Sequence, residues 1–401
     1  MIHSFSCKNF YSIRDGVAVS FVVNDKAPKN NGYFNTPAGI RVSKVETVIG
    51  PNASGKTNIL KVIPFLKWLI VDSFNTNPSA QIPVFPFKFH EAQNPTELSV
   101  EFELKKDTYV YSFIITTERI LSEELIIKNK TSKRVTSKTL FKRDWNPDIK
   151  LYTLDGKNFD FPKGFENLLR SNASVIGVAL NHPKSKEIAE YWKRIETNVI
   201  EAGWIGDQLM PNTGIRLMEI LKFYNENESL KMEAEKLLSR FDLGFAAFKY
   251  KLETQGNATT IKNIQAIHTI NGQQQLLPIQ YESSGTKQLF ILLKSILLVL
   301  GRGGIAILDE FDVNLHPDML GTLFDLFIQP ETNPHNAQLL FSTHSHLVLS
   351  KLDKYQIILT EKNDTGATDV WRLDDMQGVR ADDNYYSKYI TGAYGAVPDI
   401  K

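Results

Sequence analysis

Eight consecutive residues restrict this chain more than any others: Gly50-Pro51-Asn52-Ala53-Ser54-Gly55-Lys56-Thr57. They follow the compact apolar segment Val45 to Ile49 and lead into a helical pattern that starts near Thr57. Small residues at this spacing let successive backbone amides curl around an anion, and the first turn of the following helix adds its positive end to them. The lysine and hydroxyl residue that end the loop complete a triphosphate site. Lys56 neutralises the β and γ phosphates of ATP, and the short Thr57 side chain puts its hydroxyl on Mg²⁺. Such a loop requires a strand before it and a helix after it, so it also sets the fold class: α/β, with a P-loop nucleotide-binding core. Asn58 joins Asn52, Ala53, Ser54, Gly55, Lys56 and Thr57 as a candidate nucleotide contact.

A second apolar run, Ile305-Ala306-Ile307-Leu308, ends in Asp309 and Glu310. Unbroken apolar sequence reads as a strand covered on both faces, and acids at its C-terminal tip stand where open α/β sheets bind ligands. Asp309 is expected to hold the hydrated Mg²⁺, and Glu310, turned the other way, to polarise the attacking water. Phe341-Ser342-Thr343-His344 closes the next expected strand. That spacing brings His344 to the same sheet edge, in reach of the γ phosphate. Upstream, Ser283-Ser284-Gly285 precede the apolar helix Leu289 to Leu300. Hydroxyls and a glycine at a helix N-terminus again suit an anion, and serve equally well as a plain cap.

At 401 residues the chain is longer than a usual single domain, which favours one large domain with an insertion or two closely joined domains. Short strands are expected at Ile2 to Phe10 and Val17 to Val23, and a helix from Thr57 to about Phe74 that Pro64 should kink or split. Glu97 to Leu104, Thr108 to Thr117 and Ile120 to Lys128 alternate as a meander, with Ser99, Glu101 and Glu103 on a wet face. Helical periodicity then takes over, through Ile188, Tyr191, Trp192 and Ile195, Leu217, Ile220, Leu221 and Tyr224, and Leu237 and Leu238. The expected division is therefore an N-terminal lobe over 1–183, a short helical insertion over 184–255, and a C-terminal lobe over 256–401. The insertion lacks the sustained heptads of a long coiled-coil arm.

Several function classes are disfavoured. A formal net charge of +1 gives no global electrostatic argument for nucleic acid or a membrane surface, so DNA is possible but not indicated. Cys7 is the only cysteine, which rules out an internal disulfide or a cysteine metal cluster and fits a reducing cytosol. Met1 to Asn9 lacks the pattern of a secretory signal, and the run Leu289 to Gly301, which contains Lys294, is too short and too polar to span a membrane. A cytoplasmic location is expected.

The opening Lys8-Asn9-Phe10-Tyr11-Ser12-Ile13, the loop GPNASGKTN, the stretch DEFDVNLHP and the stretch FSTHSH together resemble the OLD and RecF group of ABC-type ATPases over nearly the whole chain. The tail Tyr389 to Pro398 resembles the ending of stand-alone members such as RloA and AbiLi, to which the ATPase of the PARIS system is related. Several expectations follow from the resemblance. Ser283-Ser284-Gly285, within SSGTKQ, stands for the LSGGQ signature, which closes over the ATP held by a second copy and so implies a homodimer. Asp312 to Pro317 resembles the loop that runs along such a seam, making Asp312 and His316 candidates for signalling between sites. Phe85 to Gln93 lies where a glutamine loop is expected, with no convincing glutamine in it. Tyr11 stands where relatives commonly carry arginine, and Arg14 is the nearest alternative. Relatives with a C-terminal Toprim nuclease need a domain's worth of residues after the histidine. Only 57 follow His344 here (401 minus 344), so any cutting or toxic activity is expected from a separate effector of the RloB or Toprim type. The tail is then either a docking segment or a packed terminus.

The expected function is a nucleotide-dependent sensor or scaffold ATPase of an anti-phage system. Two alternatives stay open at this point: a RecF-like or SMC-like DNA-maintenance ATPase that clamps duplex DNA, and a largely non-hydrolysing assembly subunit that keeps ATP as a folding ligand.

Overall fold

The computed structural model describes residues 1–89, 94–130, 135–199, 213–241, 244–255, 258–312 and 315–398. Gln93, Val313, Asn314 and the 200–212 part of the expected insertion lie outside the described residues. Among the described residues the core sheet has six strands: β1 (Val45–Ile49), β2 (Glu196–Thr197), β3 (Ile305–Leu308), β4 (Gln338–Ser342), β5 (Ile357–Lys362) and β6 (Thr368–Arg372), in the order β2-β3-β4-β1-β5-β6. All neighbours are parallel except β5 and β6. Helix α1 (Lys56–Leu60) leaves the loop after β1, and α2 (Ser284–Arg302) precedes β3.

Strand periodicity explains why this sheet sits at the centre. Val48, Ile305, Ile307, Leu340 and Ile358 face one apolar core, whereas their neighbours Val45, Ile49, Ala306, Leu308, Leu339, Phe341, Ile357 and Leu359 face another. Successive side chains of a strand point to opposite faces, so each face needs its own cover. The first face is covered by α1, by the helices Val62–Lys67 and Pro183–Trp192, and by an antiparallel sheet that begins with Ile2–Lys8. The second is covered by α2, by the helices Thr213–Glu226, Glu228–Ser239 and Pro317–Ile328, and by the C-terminal tail. Both lobes of the α/β fold are thus assembled on one sheet.

The antiparallel sheet has seven strands among the described residues and extends the expected meander with Val135–Asn146 and Leu151–Asp155. Its second face is drier than alternation suggested. Glu103 is buried, with its carboxylate 3.1 Å from His3 Nε2 and accepting the Ala38 N–H at 2.9 Å. Further along, Glu123 and Arg143 are wholly buried and paired at 2.6 Å. These charges read as surface in the sequence because their partners lie far away along the chain.

The helix after the loop breaks at Lys61, between α1 and Val62–Lys67. Pro64 has no N–H to give Leu60 and its ring crowds that carbonyl, so the break falls one turn before the proline. Pro183–Trp192, expected in the insertion, buries Ile188, Tyr191 and Trp192 in the first core, and the next segment becomes β2. The helices Thr213–Glu226 and Glu228–Ser239 lead instead to a three-stranded sheet of Phe245–Gln255, Ala258–Ile270 and Gln273–Pro278.

Helix α2, with 19 residues, is long and apolar enough to cross a membrane by length and composition alone. Leu289, Phe290, Leu293 and Ile296 are fully buried in the second core, so in this fold it is a core helix. The tail packs: Tyr389, Tyr394 and Ala396 are buried, Tyr389 Oη donates to the Ala396 carbonyl at 2.6 Å, and the Ala396 N–H donates to Glu361 at 2.8 Å.

Candidate functional site: a phosphate cradle at one sheet edge

Because β1, β3 and β4 are parallel and in register, with Leu308 opposite Phe341 and Ser342 opposite Val48, their C-terminal ends open on the same edge. The three segments singled out in the sequence leave from those ends. Asn52, Ala53, Ser54, Gly55, Lys56, Thr57 and Asn58 line one cavity of about 610 Å³ together with Asp309, Glu310 and His344.

The loop's shape depends on glycine at two places. A Cβ on Gly50 would lie 2.1 Å from the Thr360 carbonyl oxygen, and one on Gly55, whose φ is 109°, would lie 2.3 Å from Thr368 Oγ1. Only a residue without a side chain lets the loop seat against β5 and β6. Hydroxyls fix it there. Ser54 Oγ and Thr360 Oγ1 lie 2.7 Å apart, and Thr368 Oγ1 donates to the Ser54 carbonyl at 2.8 Å. Ser12 Oγ accepts from Asn58 Nδ2 at 2.7 Å and lies 2.7 Å from Thr368 Oγ1. Ser12, Thr360 and Thr368 were not identified from the sequence as site residues, since nothing local marks a hydroxyl that braces a loop dozens or hundreds of residues away.

Lys56 Nζ folds over the loop and donates to the carbonyls of Gly50 at 2.8 Å and Pro51 at 2.9 Å. Burial lowers its pKa from the ordinary lysine value, and the carboxylates of Asp309, Glu310 and Asp312 pull the other way. Thr57 Oγ1 donates to Asp309 Oδ2 at 2.8 Å. A hydroxyl and a carboxylate from facing elements are the hard oxygen donors that suit Mg²⁺, with phosphate oxygens and water filling the other positions. A metal held there would neutralise charge on the transferred phosphate.

Strand β3 stops at Leu308, so Asp309 and Glu310 do not alternate across a strand but occupy a turn. Glu310 has φ 47°, a left-handed conformation unusual outside glycine, and it is this twist that lets both carboxylates line the same cavity. The turn is held by two residues the sequence reading did not select. Asn198, just after β2, accepts the Asp309 N–H at 2.7 Å and donates to the Asp309 carbonyl at 3.0 Å. Ser342 Oγ accepts the Glu310 N–H at 2.8 Å and donates to Asp309 Oδ1, while the Ser342 carbonyl accepts the Phe311 N–H at 3.0 Å. Ser342 lay inside the FSTHSH stretch; the edge strand that leads to Asn198 had no comparable signal.

His344 Nε2 lies 3.7 Å from Glu310 Oε1, both side chains being about half exposed to the cavity. Its backbone is set by Asp312, whose carboxylate accepts the N–H groups of His344 at 3.2 Å and Ser345 at 2.9 Å. Tyr11 has φ 52° and carries the Lys61 ammonium 4.2 Å above its ring, while Arg14 is turned to Asp15 at 2.7 Å and Thr365 at 3.1 Å. Ser283, Ser284 and Gly285 are not among the residues lining the cavity. They lie at the start of α2, where Ser283 and Ser284 are exposed and Ser283 Oγ caps the helix by accepting the Thr286 N–H at 3.0 Å.

Among solved structures the chain is similar to an SMC head bound to the C-terminal winged-helix domain of ScpA, at 16% identity and TM-score 0.46, covering 94% of this chain and 99% of that one. It is also similar to the SMC head domain of Thermotoga maritima, at 15% identity and TM-score 0.40, covering 92% and 98%. A third is the Smc head of Pyrococcus yayanosii with coiled coil and joint, at 13% identity and TM-score 0.43, covering 98% and 99%. No curated protein matches the sequence. Residues 47–350, a span that takes in the loop, both carboxylates and His344, match the family described as "AAA domain, putative AbiEii toxin, Type IV TA system", and the chain belongs to that family of P-loop ATPases.

Proposed function

We propose that this chain binds and slowly hydrolyses MgATP as a nucleotide-sandwiched homodimer, and that its nucleotide state holds or releases a separate effector in a cytoplasmic anti-phage defence system. The observation that carries the enzymatic part is the convergence of Lys56, Thr57, Asp309, Glu310 and His344 on one cavity. In this assignment the loop amides and Lys56 grip the phosphates, and Thr57 and Asp309 hold the metal. Glu310 takes the proton of the attacking water, and His344 contacts the γ phosphate. Support for the dimer comes from the exposed Ser283 and Ser284, which one chain displays at a helix N-terminus away from its own cavity. Support for the defence role comes from the resemblance of the loop, strand-tip and tail segments to stand-alone OLD-like ATPases.

Glu310→Gln tests the assignment. A carboxamide keeps the shape but cannot take the proton, so turnover should fall about a hundredfold or more while ATP still binds. The trapped complex should have the mass of a dimer by light scattering. Unchanged turnover removes Glu310 from its role, and a monomer in every nucleotide state removes the sandwich. The defence role is tested separately by co-expression with the products of adjacent genes: an effector that co-purifies in an ATP-dependent manner is expected, and its absence counts against that part alone.

A further inference from the structure

We propose that His268 is a positioning residue for the signature turn, acting through Glu282 on the backbone of Ser283; the proposal rests on the sandwich dimer above. His268 stands on Ala258–Ile270, the central strand of the three-stranded sheet, opposite Gln275 on one neighbour and Phe245 on the other. Its Nε2 lies 2.7 Å from Glu282 Oε2, and the second carboxylate oxygen, Oε1, accepts the N–H of Ser283 at 2.8 Å. The side chains of His268 and Glu282 are only 15% and 6% exposed, so water competes little for either contact. The next residues are the signature: Ser283 caps α2 through Thr286, and Ser284 and Gly285 form its first turn.

The consequence is mechanical. The chain enters the signature from the short turn Ile279–Tyr281, and Glu282 N–H is tied back to the Ile279 carbonyl at 3.1 Å. Without its carboxylate tether, Ser283 keeps its cap but loses the contact that sets the cap's angle to the rest of the molecule. The tether also gives the three-stranded sheet a route to the nucleotide. A displacement of that sheet, or of anything docked on it, moves His268 and with it the serines presented to the second copy's γ phosphate. The cradle of the same chain is untouched, because Gly50 to Thr57 takes its braces from β5, β6 and Ser12.

The test uses full-length protein in the Glu310→Gln background, with two readouts: affinity for a fluorescent ATP analogue at concentrations where the chain is monomeric, and ATP-driven dimerisation by sedimentation. His268→Ala should weaken the dimer about tenfold, with analogue affinity within about twofold of the parent, and His268→Gln, whose amide N–H reaches Glu282, should restore most of it. If His268→Ala lowers the folded fraction, the isosteric Glu282→Gln replaces it, with about threefold loss expected. An undiminished dimer, or dimer and nucleotide affinity falling together, overturns the positioning role. A Glu310→Gln parent that stays monomeric with ATP is a distinct failure, which removes the sandwich and this proposal with it.

Discussion

The cradle and the proposed signature turn both lie at a helix N-terminus, yet they are built in opposite ways. In the cradle, Ser54 and Lys56 are buried, and the loop is cross-tied to residues 12, 360 and 368. At the signature, Ser283 and Ser284 are exposed, and the turn has its own cap and one carboxylate tether. A site whose shape is imposed by its own sheet can hold a ligand alone. One that is only aimed, and open on its outer side, needs something brought to it. That asymmetry is what the proposed sandwich requires of a single chain.

Lys56→Ala makes the largest break in this comparison. It removes the ammonium that folds over the loop and leaves every contact of the signature in place. Losing charge-assisted contacts to two phosphates should lower ATP affinity roughly a hundredfold or more, and ATP-driven dimerisation should disappear with it. Isothermal titration of the monomer checks the first effect. Near-normal ATP binding there means that the signature half, or another surface, carries more of the nucleotide than the geometry assigns to it.

Ser342→Ala acts inside the cradle half but on its hydrolytic side. The Glu310 N–H and Asp309 Oδ1 both lose a partner, and Glu310 sits in a left-handed conformation that needs external support. A cost of about 1–3 kcal/mol in stability is expected, together with a fall of about tenfold in kcat and a smaller change in KM for ATP, because the loop itself is unaffected. Thermal unfolding and steady-state kinetics separate the two. If stability falls and kcat does not, Ser342 braces the strand tip without setting the geometry of Glu310.

How much of this was legible in the sequence follows from the range of the interactions. Gly50 to Thr57, the Asp309-Glu310 tip and His344 each carry their signal within a few residues, because strand, turn and helix must follow one another there, and the structure brings Asn52 to Thr57, both carboxylates and His344 to one cavity. Asn198 and Ser12 do their work across more than a hundred and more than three hundred positions respectively, through contacts to residues 309 and 368, and local pattern says nothing about such pairings. The same limit explains the buried Glu103, Glu123 and Arg143 of the meander, which alternate like surface residues and are dry only because other segments cover them. The break at Lys61 was legible, since Pro64 acts on the residue four positions before it.

The last contrast is between two buried glutamates, and its effect emerges only as pH is raised. Glu282, behind the signature, is matched to His268 and to a backbone amide. Glu46, in β1 beneath the cradle, is fully buried and takes a 2.7 Å bond from Ser43 Oγ. Burial pushes its pKa up to about 8 despite the nearby Arg372, with Asp374 and Asp353 adding to the rise. A carboxyl whose folded pKa is raised keeps more protons in the folded than in the unfolded state. Its share of stability is therefore present below the ordinary carboxylate range and is lost as pH rises toward 8 and past it. Glu46→Gln keeps the neutral shape and removes that slope, so the variant should gain on the parent between pH 5 and pH 8.5, by on the order of a few kcal/mol at the upper end. Parallel Tm-against-pH curves for the two proteins mean that Arg372 already compensates the charge, and the cradle strand then carries no more electrostatic cost than the signature does.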